Sequence, residues 1–406
     1  MPLARTAPAV TLTTALTLTA LAAFPFAAHA DSSDPWVRGW GSNSGWQLGN
    51  GTASNIQQLT PTDVQGIARQ DVQELAAGGA DAAGSGTTAT PATAFAVALL
   101  KDGTVMSWGS NGSGQTGNGT NTVQYSPAAV AGLWGVSQVA AGANHALAVR
   151  NGRVLSWGGN AAGQLGNGVA AADPTGVQRT PVSVQSLDRV VDVGAGCDFS
   201  VALRDNGTVW AWGSGTDGRL GTGDEKSSNT PKQVKDLGDV VAISVGCAHV
   251  LALGADGTVK SWGRNSDGQL GNDSTEKSPV PVTVQYLDTV AKVSATPYGG
   301  FAVLDDGSVR AWGDNSAGQL GDGTTDDRVT AVHVDGVRGV QEIAGGVDHT
   351  LAALDDGSVI AWGANGNGQL GNGRTSPSAV PVVALPAGSD IDHVATTTLG
   401  RSSFAY

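Results

Sequence analysis

Three histidines, His145, His249 and His349, fall at one recurring slot of a chain that otherwise spends few residues on reactive chemistry. Three imidazoles are a zinc-ligand set if they converge to bond lengths of about 2.0–2.1 Å. The doublets Asp305-Asp306, Asp326-Asp327 and Asp355-Asp356 are the carboxylates a calcium site would use. Neither reading fits the spacing. The histidines lie about two repeat units apart, and their slot holds Phe95, Phe199, Gly299 and Ser402 in the other units, so each reads as a partly buried ring bonded to backbone. The acidic doublets sit in turns and lack the regular ligand order of a calcium loop. The Gly-x-Gly patterns follow Trp-Gly and precede turns rather than helices, and they carry no nucleotide signal. No catalytic residue, metal or cofactor is assigned. Two thiols remain, Cys197 and Cys247, in equal slots of neighbouring units, where a disulfide or two buried free thiols would both fit.

The elements that position these residues are repeats. Trp-Gly occurs at Trp40, Trp108, Trp157, Trp212, Trp262, Trp312 and Trp362, the last four 50 residues apart. Each unit opens on an alternating apolar run, beginning at Val72, Val136, Val190, Val240, Val290, Val340 and Ile391. A second run, an Asp/Asn-Gly hairpin turn such as Asp205-Asn-Gly207, a third run ending on Trp, a Gly-rich loop and a fourth run near Pro follow. Pro is tolerated at a strand start or on an edge strand. Seven units of four short antiparallel strands predict a seven-bladed β-propeller. The final segment supplies two runs, Ile391 to Tyr406, and Trp36–Gly41 supplies a third, so the last blade is expected to close by pairing the two chain ends and hiding open sheet edges.

Composition narrows the partners. Charged residues are 14% of the chain, against roughly 25% in ordinary soluble domains. The net charge of −13 and the lack of a Lys/Arg cluster argue against nucleic acid or anionic lipid. Arg5, an apolar stretch from Ala9 to Phe26 and Ala28-His29-Ala30 read as a secretory signal peptide cleaved after Ala30. The expected domains are therefore the signal peptide at 1–30 and the propeller at 31–406, secreted, monomeric and without a membrane span.

Trp362-Gly-Ala-Asn-Gly-Asn-Gly-Gln-Leu-Gly-Asn-Gly373, its copy at Trp157–Gly168, and Ala140-Ala-Gly-Ala-Asn-His145 closely resemble the repeat of the RCC1-type (regulator of chromosome condensation) propellers, over about Trp36 to Tyr406. The resemblance implies the seven-bladed fold. In function it points to either a nuclear guanine-nucleotide exchange factor or a secreted bacterial protein that inhibits β-lactamases through loops on one disc face. The export signal and acidic balance fit the secreted setting.

Within the repeat, scaffold slots stay alike and contact slots diverge. The Trp of each Trp-Gly reads as packing between blades, and the Asn three residues later (Asn43, Asn111, Asn160, Asn265, Asn315, Asn365) as an Asx-type loop anchor, with Gly215 in its place in the third unit. The residues before the His/Phe slot differ: Asn144, Asp198, Tyr298, Asp348 and Arg401. With Trp46, which stands where the other six loops have Gly, they are the candidate partner-binding residues. The 79–94 insertion belongs to the same rim. The function expected is a non-catalytic module binding a protein partner. Inhibition of a secreted or wall-associated enzyme such as a β-lactamase is the alternative, and a polysaccharide-active enzyme using acidic residues of the central pocket is a third reading.

Overall fold

The computed structural model describes residues 36–82, 91–169, 176–287 and 289–406; the expected signal peptide and residues 83–90 of the 79–94 insertion lie outside them. Seven four-stranded antiparallel blades form the propeller. Blades 1 to 6 run in chain order from inner strands Val72–Ala80, Val136–Ala141, Val190–Ala195, Val240–Val245, Val290–Thr296 and Val340–Gly345. Blade 7 is composite. Its inner strands Val394–Leu399 and Ser402–Ala405 come from one end of the chain, and Trp36–Gly41 and Gln58–Ala68 from the other. Arg38 pairs with Ala405 and Gly41 with Ser402, so the expected closure is observed. The inner strand of this blade runs Val394–Leu399 rather than starting at Ile391, and reciprocal backbone bonds between His393 and Tyr406 continue its pairing by one residue.

Local chemistry explains the strands. In the hairpin Asp256-Gly257, Asp256 Oδ1 accepts the N–H of Thr258 at 3.0 Å while Gly257 takes a φ of +79°, which a Cβ would strain. Each of the six contiguous inner strands carries a register shift after its first residue, as between Val190 and Asp192. Such a bulge bends the strand and re-aims a side chain.

The core lies between blades. All seven repeat tryptophans are fully buried. Trp262 of blade 4 packs with Phe199, Val201, Leu203 and Leu220 of blade 3. Its Nε1 donates to Arg219 O at 3.1 Å, and the same bond links every other pair around the ring, from Trp108 to Gln47 O at 2.7 Å through Trp40 to Gln369 O at 3.0 Å. A buried indole needs such an acceptor. The glycine two residues after each acceptor is required by this contact: a Cβ on Gly371 would stand 2.7 Å from Trp40 Nε1. The repeated Trp and Gly thus encode one joint, used seven times.

The candidate partner-binding face

The Gly-rich loops and the turns between first and second strands emerge on the same disc face. Asn365 shows how a loop rich in glycine keeps one shape. Its Oδ1 accepts the N–H of Leu370 at 3.0 Å, and its Nδ2 donates to Arg374 O and Ser376 O at 3.0 Å. The expected anchor role holds, with a reach extending across the whole loop rather than one local turn. The glutamine of each Gly-Gln-Leu-Gly works beside it: Gln369 Oε1 accepts the N–H of Asn367 at 2.9 Å, and Nε2 points to Asp348 Oδ1 at 3.3 Å. Its repetition at one position of six loops, followed by Leu in all but blade 1, where Thr116 stands, was the signal for this role, which sequence reasoning left unassigned. In blade 3, Gly215 takes the Asn position, and Arg219 takes the Gln position, where its guanidinium lies over Phe199.

The diverging slot has a physical definition. The first residue of each Gly-rich loop donates its N–H to the carbonyl of the slot residue: Ser42 to Arg401, Ser110 to Ala94, Gly159 to Asn144, Ser214 to Asp198, Arg264 to Ala248, Asp314 to Tyr298 and Ala364 to Asp348, at 2.8–3.0 Å. The bond uses only backbone. The slot is therefore fixed in position and free in side chain, which is what a repeat needs to vary its surface on a constant frame.

The candidate residues occupy that frame in different states. Asp198 is exposed. Tyr298 is part-buried beneath the Arg264 guanidinium, 5.8 Å from its ring centre. Asn144 accepts Gln164 Nε2 at 3.2 Å. Asp348 and Arg401 are joined to each other, Nε to Oδ2, at 2.6 Å. Burial pushes the Asp348 carboxyl up, but His349 and the Arg401 guanidinium outweigh it and hold the group down at about 2. Of these two partners Arg401 has hydrogen-bond geometry, whereas His349 Nδ1 stands 3.7 Å away. Arg401 N–H also reaches Asp81 Oδ2 at 2.9 Å. Trp46 does not group with the others. It has a left-handed φ of +60°, donates Nε1 to Ala53 O at 3.0 Å and meets Tyr125 of blade 1 edge-on at 5.6 Å.

The histidines are fully rather than partly buried, and each spans to the next blade. His145 Nε2 meets Ser200 Oγ at 2.9 Å, His249 Nε2 meets Gly299 O at 3.0 Å, and His349 Nε2 meets Ser403 Oγ at 3.0 Å. Two of the three partners are thus hydroxyls instead of the expected backbone. Burial pushes His145 down to about 3 and His249 down to about 4, which keeps both rings neutral. Cys197 and Cys247 are bridged, with Cα atoms 4.6 Å apart, and fasten blade 3 to blade 4 on this face. Among the described residues, no helix is long and apolar enough to cross a membrane.

Comparison with known proteins places this architecture. Residues 171–406 match the RCC1-like domain, and residues 37–81, 102–149 and 136–164 match the regulator of chromosome condensation (RCC1) repeat. The chain is 28% identical over 131 residues to the mitochondrial RCC1 domain-containing protein RUG3 of Arabidopsis thaliana, a match covering 31% of this chain and 28% of that one. It is 31% identical over 198 residues to the human E3 ubiquitin-protein ligase HERC2, covering 47% of this chain and 4% of that one. It is 29% identical over 192 residues to the ultraviolet-B receptor UVR8 of Arabidopsis thaliana, covering 46% and 39%. The chain thus spans well under half of the length of these curated relatives. Among solved structures, human WBSCR16 superposes with a TM-score of 0.78 at 23% identity, covering 91% of this chain and 98% of that one. Prp20p of Saccharomyces cerevisiae, described with its binding to Gsp1p and histones, superposes with a TM-score of 0.76 at 22% identity, covering 92% of each. With the family match spanning more than half its length and the seven-fold Trp joint closing its ring, the chain belongs to the RCC1-like domain family.

Proposed function

We propose that this chain is a secreted, monomeric, non-catalytic propeller that binds a protein partner through the face carrying the Gly-rich loops. The observation that carries the reading is the slot whose carbonyl is pinned in all seven blades while its side chain runs from Ala to Asp, Tyr and Arg. Invariant backbone with divergent side chains is expected of a contact surface on a rigid scaffold. Protein binding by Prp20p, of similar fold, lends support. Export rests on the sequence of residues 1–30, and the acidic balance disfavours nucleic acid.

Asp198 and Tyr298 are the residues to test, since Asp348 and Arg401 neutralise each other. Pull-down from the producer's growth medium and cell wall should retain a partner with the wild-type protein. The Asp198→Ala/Tyr298→Ala double variant should lose capture at least about tenfold, the scale of one or two contact residues. Tyr286→Ala, an exposed residue outside the diverging slots, should leave capture unchanged. Equal capture by all three proteins would falsify the assignment of this face. Recovered material should begin at Asp31. Assay of the same variants against a panel of secreted and wall-associated enzymes, β-lactamases included, separates an inhibitor from a plain adaptor.

A further inference from the structure

The inner strands enclose a central channel of about 600 Å³. Of the third residues of the inner strands, just past the bulge, Glu74, Asp192, Ala242, Lys292 and Glu342 line this channel, and Gln138 of blade 2 stands between Glu74 and Asp192. Here the repeat is deliberately unequal, and blades 1 to 3 bring a carboxyl, an amide and a carboxyl into one row. One end of the Gln138 carboxamide lies 2.6 Å from Glu74 Oε2 and 3.1 Å from Oε1. The other end reaches Asp192 Oδ1 at 3.5 Å.

An amide has one donating end and one accepting end, so it cannot donate to two ionised carboxylates on opposite sides. Both contacts are made only if one carboxyl is protonated. A hydroxyl on Glu74, with the amide oxygen toward it and the NH2 toward Asp192, makes both contacts, and 2.6 Å lies within the O–H···O range; the reverse orientation turns the NH2 to Glu74 and needs the proton on Asp192. The backbone favours the first. Asp192 receives the N–H groups of Val193 and Ile243, which favour its ionised form, whereas Glu74 receives only that of Val139, at 3.1 Å.

We propose that the mouth of the central channel is a pH-sensitive clasp, in which a protonated Glu74 donates to Gln138 and ties blades 1, 2 and 3 together until the proton is lost. Every charged group facing Glu74 bears on this. The three strands packed against its own, Phe95–Leu100, Val136–Ala141 and Val394–Leu399, contain no ionisable residue. His393, just before the last of these, is held by Glu342 at 3.0 Å and stacks on Tyr406, whose hydroxyl accepts the N–H of Leu75. Across the channel stand Asp192 and Glu342, both adding negative potential. Lys292 is engaged with Gln341 O at 2.6 Å. Among the described residues no cation contributes to holding Glu74 ionised, and burial, followed by these acids, pushes it up to about 8. Asp192 rises less, to about 6, again through burial.

The sign follows. A carboxyl whose folded value is raised contributes stability fully below about 4.5, its value in the unfolded chain, and loses that contribution as pH rises through about 8. Infrared spectra of the full chain at neutral pH test the assignment. The carbonyl band of a neutral carboxylic acid should appear in the wild type, persist in Asp192→Asn and vanish in Glu74→Gln. Its absence from the wild type, or its survival in Glu74→Gln, overturns the clasp. The lead in melting temperature of the wild type over Glu74→Gln should shrink by roughly 2–4 °C or more between about pH 5 and pH 9; parallel curves overturn it equally. If Glu74→Gln does not fold, carbon-13 titration of labelled glutamate carboxyls in the wild type decides: one must titrate above neutrality, and none doing so sinks the proposal.

Discussion

Two joints of the ring can be set side by side: blade 3 to blade 4, and blade 7 to blade 1. Both contain the common Trp bond, from Trp262 to Arg219 O and from Trp108 to Gln47 O. Each then adds a fastening of its own. Blades 3 and 4 are contiguous in the chain and carry the disulfide between Cys197 and Cys247. Blade 7 is assembled from the two ends of the chain, and no turn joins Ser402–Ala405 to Trp36–Gly41. There the inner strands of blades 7 and 1 pair in parallel, Thr397 with Ala77 and Leu399 with Ala80, so that two blades become one eight-stranded sheet. Trp46 adds its ring against Tyr125 where each of the six other loops presses a bare glycine on the next blade. The contrast teaches that a ring closed by non-local pairing bears a larger ordering cost than a local one, and that backbone pairing and aromatic contact offset it where a cross-link does so elsewhere.

The largest expected effect comes from the element the two joints share. Trp108→Ala and Trp262→Ala should each cost about 3–5 kcal/mol, as removal of a fully buried aromatic does. Urea unfolding measures both, and the comparison loses its basis if Trp108→Ala behaves like a surface change. Next is the cross-link. Replacing Cys197 and Cys247 together by Ser should lower stability by about 2–4 kcal/mol, the usual yield of a disulfide. Under reductant the wild type should fall toward the variant; a reductant-insensitive transition would show that the bridge adds nothing at the blade 3 to 4 joint. Smallest is Trp46→Gly. Relief of a left-handed backbone, about 1–2 kcal/mol, opposes loss of an aromatic pair, about 0.5–1.5 kcal/mol beyond burial. Thermal melting should therefore move by less than about 1 kcal/mol equivalent, and a much larger loss would make Trp46 a principal lock of the closing joint.

The candidate face was legible in part. Divergence at Asn144, Asp198, Tyr298, Asp348 and Arg401 could be read from the repeat, but the reason for it, a carbonyl held by the following loop, required coordinates. The pairing of Asp348 with Arg401 joins residues of two blades and was invisible to a reading that took one unit at a time. The same limit applied to the histidines. Their shared slot was plain, yet whether each met a hydroxyl or a carbonyl depended on the neighbouring blade, which supplies Ser200, Gly299 or Ser403.

The sequence by itself determined the seven units, the four strands in each, the Asp/Asn-Gly turns and the closure by chain ends, because these follow from local periodicity and from apolar faces that must be covered. Tertiary structure decided what happens between units. It set which carbonyl each Trp meets, how far Asn365 reaches, and the row of Glu74, Gln138 and Asp192 at the channel mouth. Such contacts depend on the distance between side chains from separate repeats. A periodic sequence records that each repeat has neighbours; their relative placement comes only from packing the blades into a ring.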